Sequence, residues 1–247
     1  MKIVAVIPAR YESSRFQGKP LADLEGKPMI WWTYQQARKV EELDEVYVAT
    51  DDERIYETCK LLDMNVIMTS NQHLTGTDRV AEVAEKIFAD IYLNIQGDEP
   101  LIEPETIRAV IPMIMEREEC AVANLMTKIT NPVDVINCTI PKVITNEKGK
   151  ALMLTRAVAP YPRGALDAEY YKQVCVYAFR PEALRFFAEY GKTKGKAKIE
   201  RIEDIEILRF IENDMNVYFA EVETASVAVD TVKDMEKVRS IMRKRKE

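Results

Sequence analysis

The chain has 247 residues, 47% of them apolar and 31% charged, with a formal net charge of −6. This is a soluble globular balance, sized for one large domain or a domain with an elaboration. It gives no support to nucleic-acid binding driven by overall charge, and no apolar run reaches membrane-spanning length.

The elements alternate. KIVAVI (2–7) reads as a buried strand without the basic n-region or small-residue cleavage site of a signal peptide. The polar loop PARYESSR follows, then a helix from about Met29 to Val40. Trp31 and Trp32 in that helix read as core or interface. EVYVAT (45–50) is a second strand ending in Asp51-Asp52, a helix N-cap for ERIYETCKLL. NVIMT (65–69) is a third strand. TGTDRVAEVAEKI is a helix capped by Thr77 or Asp78, preceded by a polar loop holding His73. DIYLNIQG (90–97) is a fourth strand, followed by one helix over PETIRAVIPMIM. AVANLMTKI, CTIPKVITN, KALMLTR and KQVCVYAFR read as β-segments with short turns. EALRFFAEYG is a helix, and IERIEDIEILRFIEN a second, amphipathic one with Ile199, Ile202, Ile205, Ile207, Leu208 and Ile211 on its apolar side. NVYFAEVE returns to strand. VDTVKDMEKVRSIMRKRK closes the chain as a helix capped near Asp230 or Thr231.

Near-continuous apolar strands alternating with helices predict a mostly parallel sheet with helices on both faces. The expected organisation is one α/β domain over 1–247, with residues 127–180 as a β-rich insertion. In such sheets the ligand lies outside the carboxyl ends of the strands. Those ends carry PARYESSR, TDDE, TSNQHLTGT and QGDEP.

Composition narrows the chemistry. Cys59, Cys120, Cys138 and Cys175 lie far apart without CxxC spacing, which fits a reduced, cytoplasmic protein. The single histidine, His73, excludes a His-rich zinc site and HExxH, and any Ser-His-Asp or Cys-His site would have to use it. Arg10, Arg15 and Lys19 on one loop after a strand can be aimed at a multiply charged anion, with loop N–H groups adding to the cradle. The loop is neither GxxxxGK[ST] nor GxGxxG. Asp98 ends a strand, where a carboxylate suits Mg²⁺; its bland alternative is a turn residue before Pro100. For Asp230 the bland alternative is a helix cap.

PARYESSRFQGKPLADLEGKPMI resembles the PARYxSxRxPGKPLxxIxGKPMI signature of the 3-deoxy-manno-octulosonate (Kdo) cytidylyltransferases, which are related to the acylneuraminate cytidylyltransferases. VYVATDDERI, MTSNQHLTGTDRVAEV, LNIQGDEPLI, PKVITNEKGKALMLTRAVAPYPR, VYAF and VAVDTVKDMEKV follow in family order. The resemblance implies a nucleotide-diphospho-sugar transferase-like (Rossmann-like) α/β fold and CMP transfer from CTP to the anomeric hydroxyl of a 3-deoxy-2-keto sugar acid, with release of pyrophosphate. It further implies Mg²⁺ as cofactor, a homodimer with 127–180 serving acceptor binding and dimerisation, and a cytoplasmic role in lipopolysaccharide biosynthesis.

Carried over residue by residue, it makes Arg10, Lys19, Asp98 and Asp230 catalytic, with Asp98 and Asp230 as the metal ligands. It assigns Pro8, Ala9, Arg10, Ser14, Arg15, Lys19, Gly76, Thr77, Arg79 and Gln96 to the nucleotide. It assigns Arg10, Gln96, Arg156, Gln173, Tyr177 and Glu206 to the acceptor. TGTDR opens a helix, where N–H groups favour anionic ligands.

The acceptor half departs from the family. Its Lys-His-Leu-Gly-Ile-Tyr-Gly-Tyr segment is KQVCVYAF here, so Gln173 replaces a histidine and Cys175 a glycine. Its Leu-Glu-Gln-Leu-Arg is IEILR, so Ile207 replaces a glutamine. Hydroxyl recognition depends on matched polar partners, so a second reading keeps CTP chemistry and changes the acceptor to a phosphonate or other small anionic acid. The lysines of KTKGKAK (192–198) form either a solvated loop or an attractor for such an acceptor. A third reading is a nucleotide-binding module without catalysis; two retained metal carboxylates argue against it.

Overall fold

In a computed structural model that describes residues 1–13, 15–164, 167–223 and 226–245, the apolar run near the amino terminus forms strand β1 (Ile3–Ala9), with Val4 to Ile7 wholly buried. The chain divides into two compact units, Met1–Arg108 with Ser226–Glu247, and Ala109–Ala225.

In the first unit β1 is followed by a 3₁₀ turn (Lys19–Leu21), a hairpin of β2 (Asp23–Leu24) and β3 (Lys27–Pro28), and helix α1 (Met29–Ala37). Next come β4 (Glu45–Thr50), α2 (Glu53–Leu61), β5 (Val66–Met68), α3 (Gly76–Lys86), β6 (Ile91–Ile95) and α4 (Pro104–Arg108). The four long strands pair in parallel in the order β6-β1-β4-β5. Their carboxyl ends therefore fall along one edge, where the loops after Ala9, Thr50, Met68 and Ile95 meet. Burial of nearly every side chain in β1 and β6 explains why these strands read as unbroken apolar runs.

One cap differs from expectation, and the Asp51-Asp52 cap is resolved to its second residue. Thr75, not Thr77 or Asp78, caps α3; its hydroxyl accepts from the Asp78 amide while Asp78 reaches back to the Thr75 amide. Asp52 caps α2 by accepting from the Arg54 amide at 3.0 Å.

The second unit opens with α5 (Val110–Met115), so the single helix expected over 104–115 is two. Pro112 has no N–H to give the Arg108 carbonyl, and the helix interrupts there. The unit continues with β7 (Val122–Lys128), α6 (Pro132–Ile136), β8 (Lys142–Thr145), β9 (Ala151–Thr155), β10 (Tyr171–Phe179), α7 (Pro181–Lys194), α8 (Lys198–Glu203), α9 (Leu208–Ile211) and β11 (Val217–Glu221). β11 joins β7 in parallel. β10 pairs antiparallel with β7 and with β8, and β8 with β9.

The long amphipathic helix expected over 199–213 is α8 and α9, separated at Asp204, whose φ of 51° is left-handed. The Arg156 guanidinium takes the carbonyls of Glu203 (2.6 Å) and Asp204 (3.2 Å), which could otherwise continue the helical ladder. Ile202 is consequently exposed rather than on the apolar side, whereas Ile205, Ile207 and Leu208 are buried.

Arg209 and Glu200 fix this corner as a bidentate pair at 2.6 and 2.8 Å, both essentially without solvent exposure, and Arg209 also donates to the Phe187 carbonyl. Arg209→Met strands a buried carboxylate and is expected to lower unfolding free energy by about 3–5 kcal/mol in urea titration. A loss below about 1 kcal/mol would show that water replaces the guanidinium.

The chain returns to the first unit with α10 (Val232–Lys244), capped by a reciprocal Thr231–Asp234 box. Its buried face, Met235, Val238 and Met242, packs with Leu24, Met29, Leu101 and Val229. Phe16 and Trp32 lie against the same cluster.

Candidate active site

The site is built on the strand ends of the first unit. After β6 the chain turns through Gln96-Gly97-Asp98. A Cβ on Gly97 would lie 2.9 Å from Ile30 Cδ1 and 3.1 Å from the Pro8 carbonyl, so glycine alone lets this turn lie against the exit of β1. Thr33 of α1 donates to the Gly97 carbonyl at 3.3 Å. The Val229 amide donates to the Asp98 carbonyl at 2.8 Å, which brings the VAVD segment beside QGDEP.

That pairing delivers Asp230 to Asp98. Lys19 Nζ lies 2.7 Å from Asp98 Oδ2 and 3.7 Å from Asp230 Oδ1, and Arg15 lies 2.9 Å from the same Asp230 oxygen. Asp230 is not the helix cap; Thr231 is. Two carboxylates distant in sequence thus share one ammonium. Among the described residues no group of three or more His, Cys, Asp or Glu side chains forms a metal cluster. Two carboxylates within reach of one cation do fit a Mg²⁺ ion that takes its remaining ligands from phosphate and water. Next to Asp98, Glu99 is buried and hydrogen-bonded by Ser226. Burial pushes its carboxyl up to about 7, opposed by the Ser226 hydrogen bond and assisted by the Asp98 charge.

The other expected nucleotide residues fall along the same edge. Pro8 and Ala9 end β1, and Arg10 is exposed just beyond them. Ser14 lies outside the described residues. Gly76 starts α3 with its Cα facing the Pro8 ring, where a Cβ would stand at 3.6 Å; Thr77 behind it is buried. Gln96 is half-buried.

Arg79 is 1% exposed. It donates to Thr69 Oγ1 at 2.5 Å and faces Asp51 Oδ2 at 3.2 Å. Asp51, expected only as a cap, is thus the arginine's counter-ion. Arg79 Nε makes no hydrogen bond among the described residues, and Nη2 meets Asp51 by distance but not by angle. A buried arginine with unmet donors fits an acceptor atom of a ligand.

His73 is not a bland loop residue. Its Nε2 meets Glu82 Oε2 at 2.5 Å, and Glu82 also takes Lys86 and the Ser70 amide. Burial alone would raise Glu82, but these partners hold it down at about 2.

In the second unit the expected acceptor residues have defined partners. Arg156 donates to four backbone carbonyls, those of Cys138, Thr139, Glu203 and Asp204. Gln173 Nε2 donates to Asn124 Oδ1 at 2.9 Å, while buried Asn124 donates to the carbonyls of Val174 and Val176. This amide chain stabilises the bulge between Val174 and Tyr177 in β10. Tyr177 stacks on Phe179, and Glu206 is half-buried before α9. Lys196 of the lysine cluster pairs with Asp204 at 2.5 Å.

Sequence reasoning missed Gly97, Thr33 and Glu99. Only Gly97 carried a signal, a glycine between a strand and an acidic residue.

A family model described as Cytidylyltransferase matches residues 4–223. The 3-deoxy-manno-octulosonate cytidylyltransferase of Fusobacterium nucleatum is 40% identical over 96% of both chains. That of Escherichia coli is 40% identical over 98% of this chain and 96% of its own. A solved CMP:2-keto-3-deoxy-manno-octonic acid synthetase complexed with CTP superposes with a TM-score of 0.94 at 39% identity, covering 99% of this chain and all of that one. A Leptospira borgpetersenii cytidylyltransferase, 16% identical with a TM-score of 0.64, shares the fold. Matched over most of its length by the family model and by relatives of this similarity, the chain belongs to the cytidylyltransferase family, among the 3-deoxy-manno-octulosonate cytidylyltransferases.

Proposed function

We propose that this chain transfers CMP from CTP to the anomeric hydroxyl of Kdo or a close relative, releasing pyrophosphate. The observation that carries the reading is Lys19 between Asp98 and Asp230, with Arg15 on Asp230. Cations suited to a triphosphate and carboxylates suited to a metal are interleaved at one point. A binding module needs the former and has no use for the latter.

The anomeric hydroxyl releases its proton to solvent water as its oxygen forms a bond to the α-phosphorus, the bond to the bridging oxygen breaks, and pyrophosphate leaves with that electron pair. Positioning and charge neutralisation dominate such a reaction. Arg15 and Lys19, each close to a carboxylate, turn to the phosphate oxygens. Arg10 lies at the start of the same loop, within reach of the phosphates or the acceptor carboxylate. Pro8, Ala9, Gly76 and Thr77 form the wall for the nucleoside, Arg79 supplies it with a fixed donor, and Gln96 lies between nucleotide and sugar. Asp98 and Asp230 would hold Mg²⁺, which lowers the acceptor hydroxyl's pKa and polarises the α-phosphate when bound.

On the acceptor side Arg156 orders two loops through their carbonyls, and Gln173, Tyr177 and Glu206 are the second unit's candidates for binding the sugar acid. The reading includes a homodimer. α6 buries none of its residues, and Val133, Ile136, Leu152 and Tyr161 of the second unit are exposed, which supports a partner there. A light-scattering mass of one chain would overturn the dimer. The reading also includes a cytoplasmic place in lipopolysaccharide precursor supply. No helix among the described residues is long and apolar enough to cross a membrane.

The test is pyrophosphate release from CTP and Mg²⁺ with Kdo, 8-amino-Kdo, N-acetylneuraminate, phosphonates and phosphate esters. Release with Kdo or its amino relative is expected. Release only with a phosphonate would favour the second acceptor class, for which Gln173 and Ile207 are the motive. No release with any acid would overturn the enzymatic reading.

A further inference from the structure

The loop between Arg10 and Lys19 has a specific support outside itself. The Arg54 guanidinium carbon lies 3.3 Å from the centroid of the Tyr11 ring. Arg54 belongs to α2 and is gripped by Asp52, with Nε to Oδ1 at 2.9 Å and Nη2 to Oδ2 at 2.6 Å. A bidentate carboxylate fixes the plane of a guanidinium, so it can lie flat on an aromatic face.

Gly18 closes on the same residue. Its amide donates to the Tyr11 carbonyl at 2.8 Å, its φ is 68°, and a Cβ there would stand 3.1 Å from the Tyr11 ring. Tyr11 is therefore the clasp of a loop whose two ends meet. Phe16 provides a second anchor against the α10 cluster. Each cation of the loop adjoins an anchored residue: Arg10 precedes Tyr11, Arg15 precedes Phe16, and Lys19 follows Gly18.

We infer that Arg54, held by Asp52, is a positioning residue for the triphosphate loop: its stack on Tyr11 sets the loop in the conformation that presents Arg10, Arg15 and Lys19. The inference rests on the reading of this loop as the triphosphate site. Arg54 acts only through Tyr11. The Arg54 side chain is 56% exposed, so its removal leaves no cavity in the core.

Hydrogen exchange of the nucleotide-free protein and CTP binding by calorimetry test it together. Arg54→Ala is expected to speed exchange of the Gly18 amide and to weaken CTP binding about 3- to 10-fold, the range one partly exposed cation–π stack supplies. The melting temperature and kcat at saturating CTP stay near those of the parent. Tyr11→Leu has the same effects, and the Arg54→Ala/Tyr11→Leu pair is no worse than either alone. Tyr11→Phe, which keeps the ring face, restores the parent behaviour. An unchanged Gly18 exchange rate in Arg54→Ala, or additive losses in the pair, would overturn the inference. The exchange arm uses no nucleotide, so a parent protein that fails to bind CTP would count against the functional reading while the stack is still decided.

Discussion

Asp98→Asn is expected to cut pyrophosphate release by about 10²–10³-fold at saturating CTP and acceptor, the scale on which a single electrostatic contact to the reacting centre acts. The substitution is nearly isosteric. The Asp98 carbonyl, which accepts the Val229 amide, is backbone and stays in place. The amide oxygen can still accept from Lys19, which lies 2.7 Å from the carboxylate in the parent. The fold and melting temperature should therefore change little, while half of the negative charge proposed to hold the metal is gone. Calorimetric titration with Mg²⁺, or with Mn²⁺ followed by electron paramagnetic resonance, should show binding lost in step with turnover. Unchanged turnover would end the metal assignment. Turnover lost with metal binding intact would move Asp98 from ligand to a direct role on Lys19.

The parts of this arrangement legible in the sequence were those written locally. The apolar runs at 3–9 and 91–95 are buried on both faces, and that at 45–50 over its second half, and so announce themselves as central strands. The polar segments at their carboxyl ends do form one edge. Helix ends were harder, because the cap of α3 is decided by whether Thr75 or Thr77 finds the Asp78 amide, a choice among several plausible oxygens. The break at Asp204 depends on Arg156, distant in sequence, so no periodicity within 199–213 could reveal it.

The same distinction runs through the site. The cations of the loop were visible as a cluster of charges, and Asp98 and Asp230 through family resemblance. Their meeting depends on the Val229 amide bonding to the Asp98 carbonyl, a backbone contact without a side-chain signature. Asp51 and Asp52 are adjacent and chemically identical, yet one pairs with Arg79 and the other caps α2 and grips Arg54. Their alternation across the strand end decides this, and composition does not.

Lys19→Met should produce effects of opposite sign on the two ligands of the proposed reaction. The Lys19 ammonium neutralises Asp98 and approaches Asp230. A metal ion arriving alone must compete with that ammonium for the same oxygens, and displacing it leaves a half-buried charge without a partner. Methionine keeps most of the apolar stem of the side chain and removes the competitor. Mg²⁺ affinity without nucleotide is expected to rise about tenfold, a modest share of the attraction between charges a few ångströms apart in a partly solvated site. CTP affinity is expected to fall about 10- to 100-fold, the loss of one charge-assisted contact to phosphate. In the parent the two binding events therefore help one another, since triphosphate gives the ammonium somewhere to go and metal vacates the carboxylates. Linkage requires that coupling to be equal seen from either ligand, and Lys19→Met should shrink it. Titrating Mg²⁺ in the presence and absence of CTP, for parent and variant, measures all four affinities. A variant whose metal affinity is unchanged or lower would mean that Lys19 serves the carboxylates rather than competes for them, and the ammonium could no longer be taken to mark the metal's position.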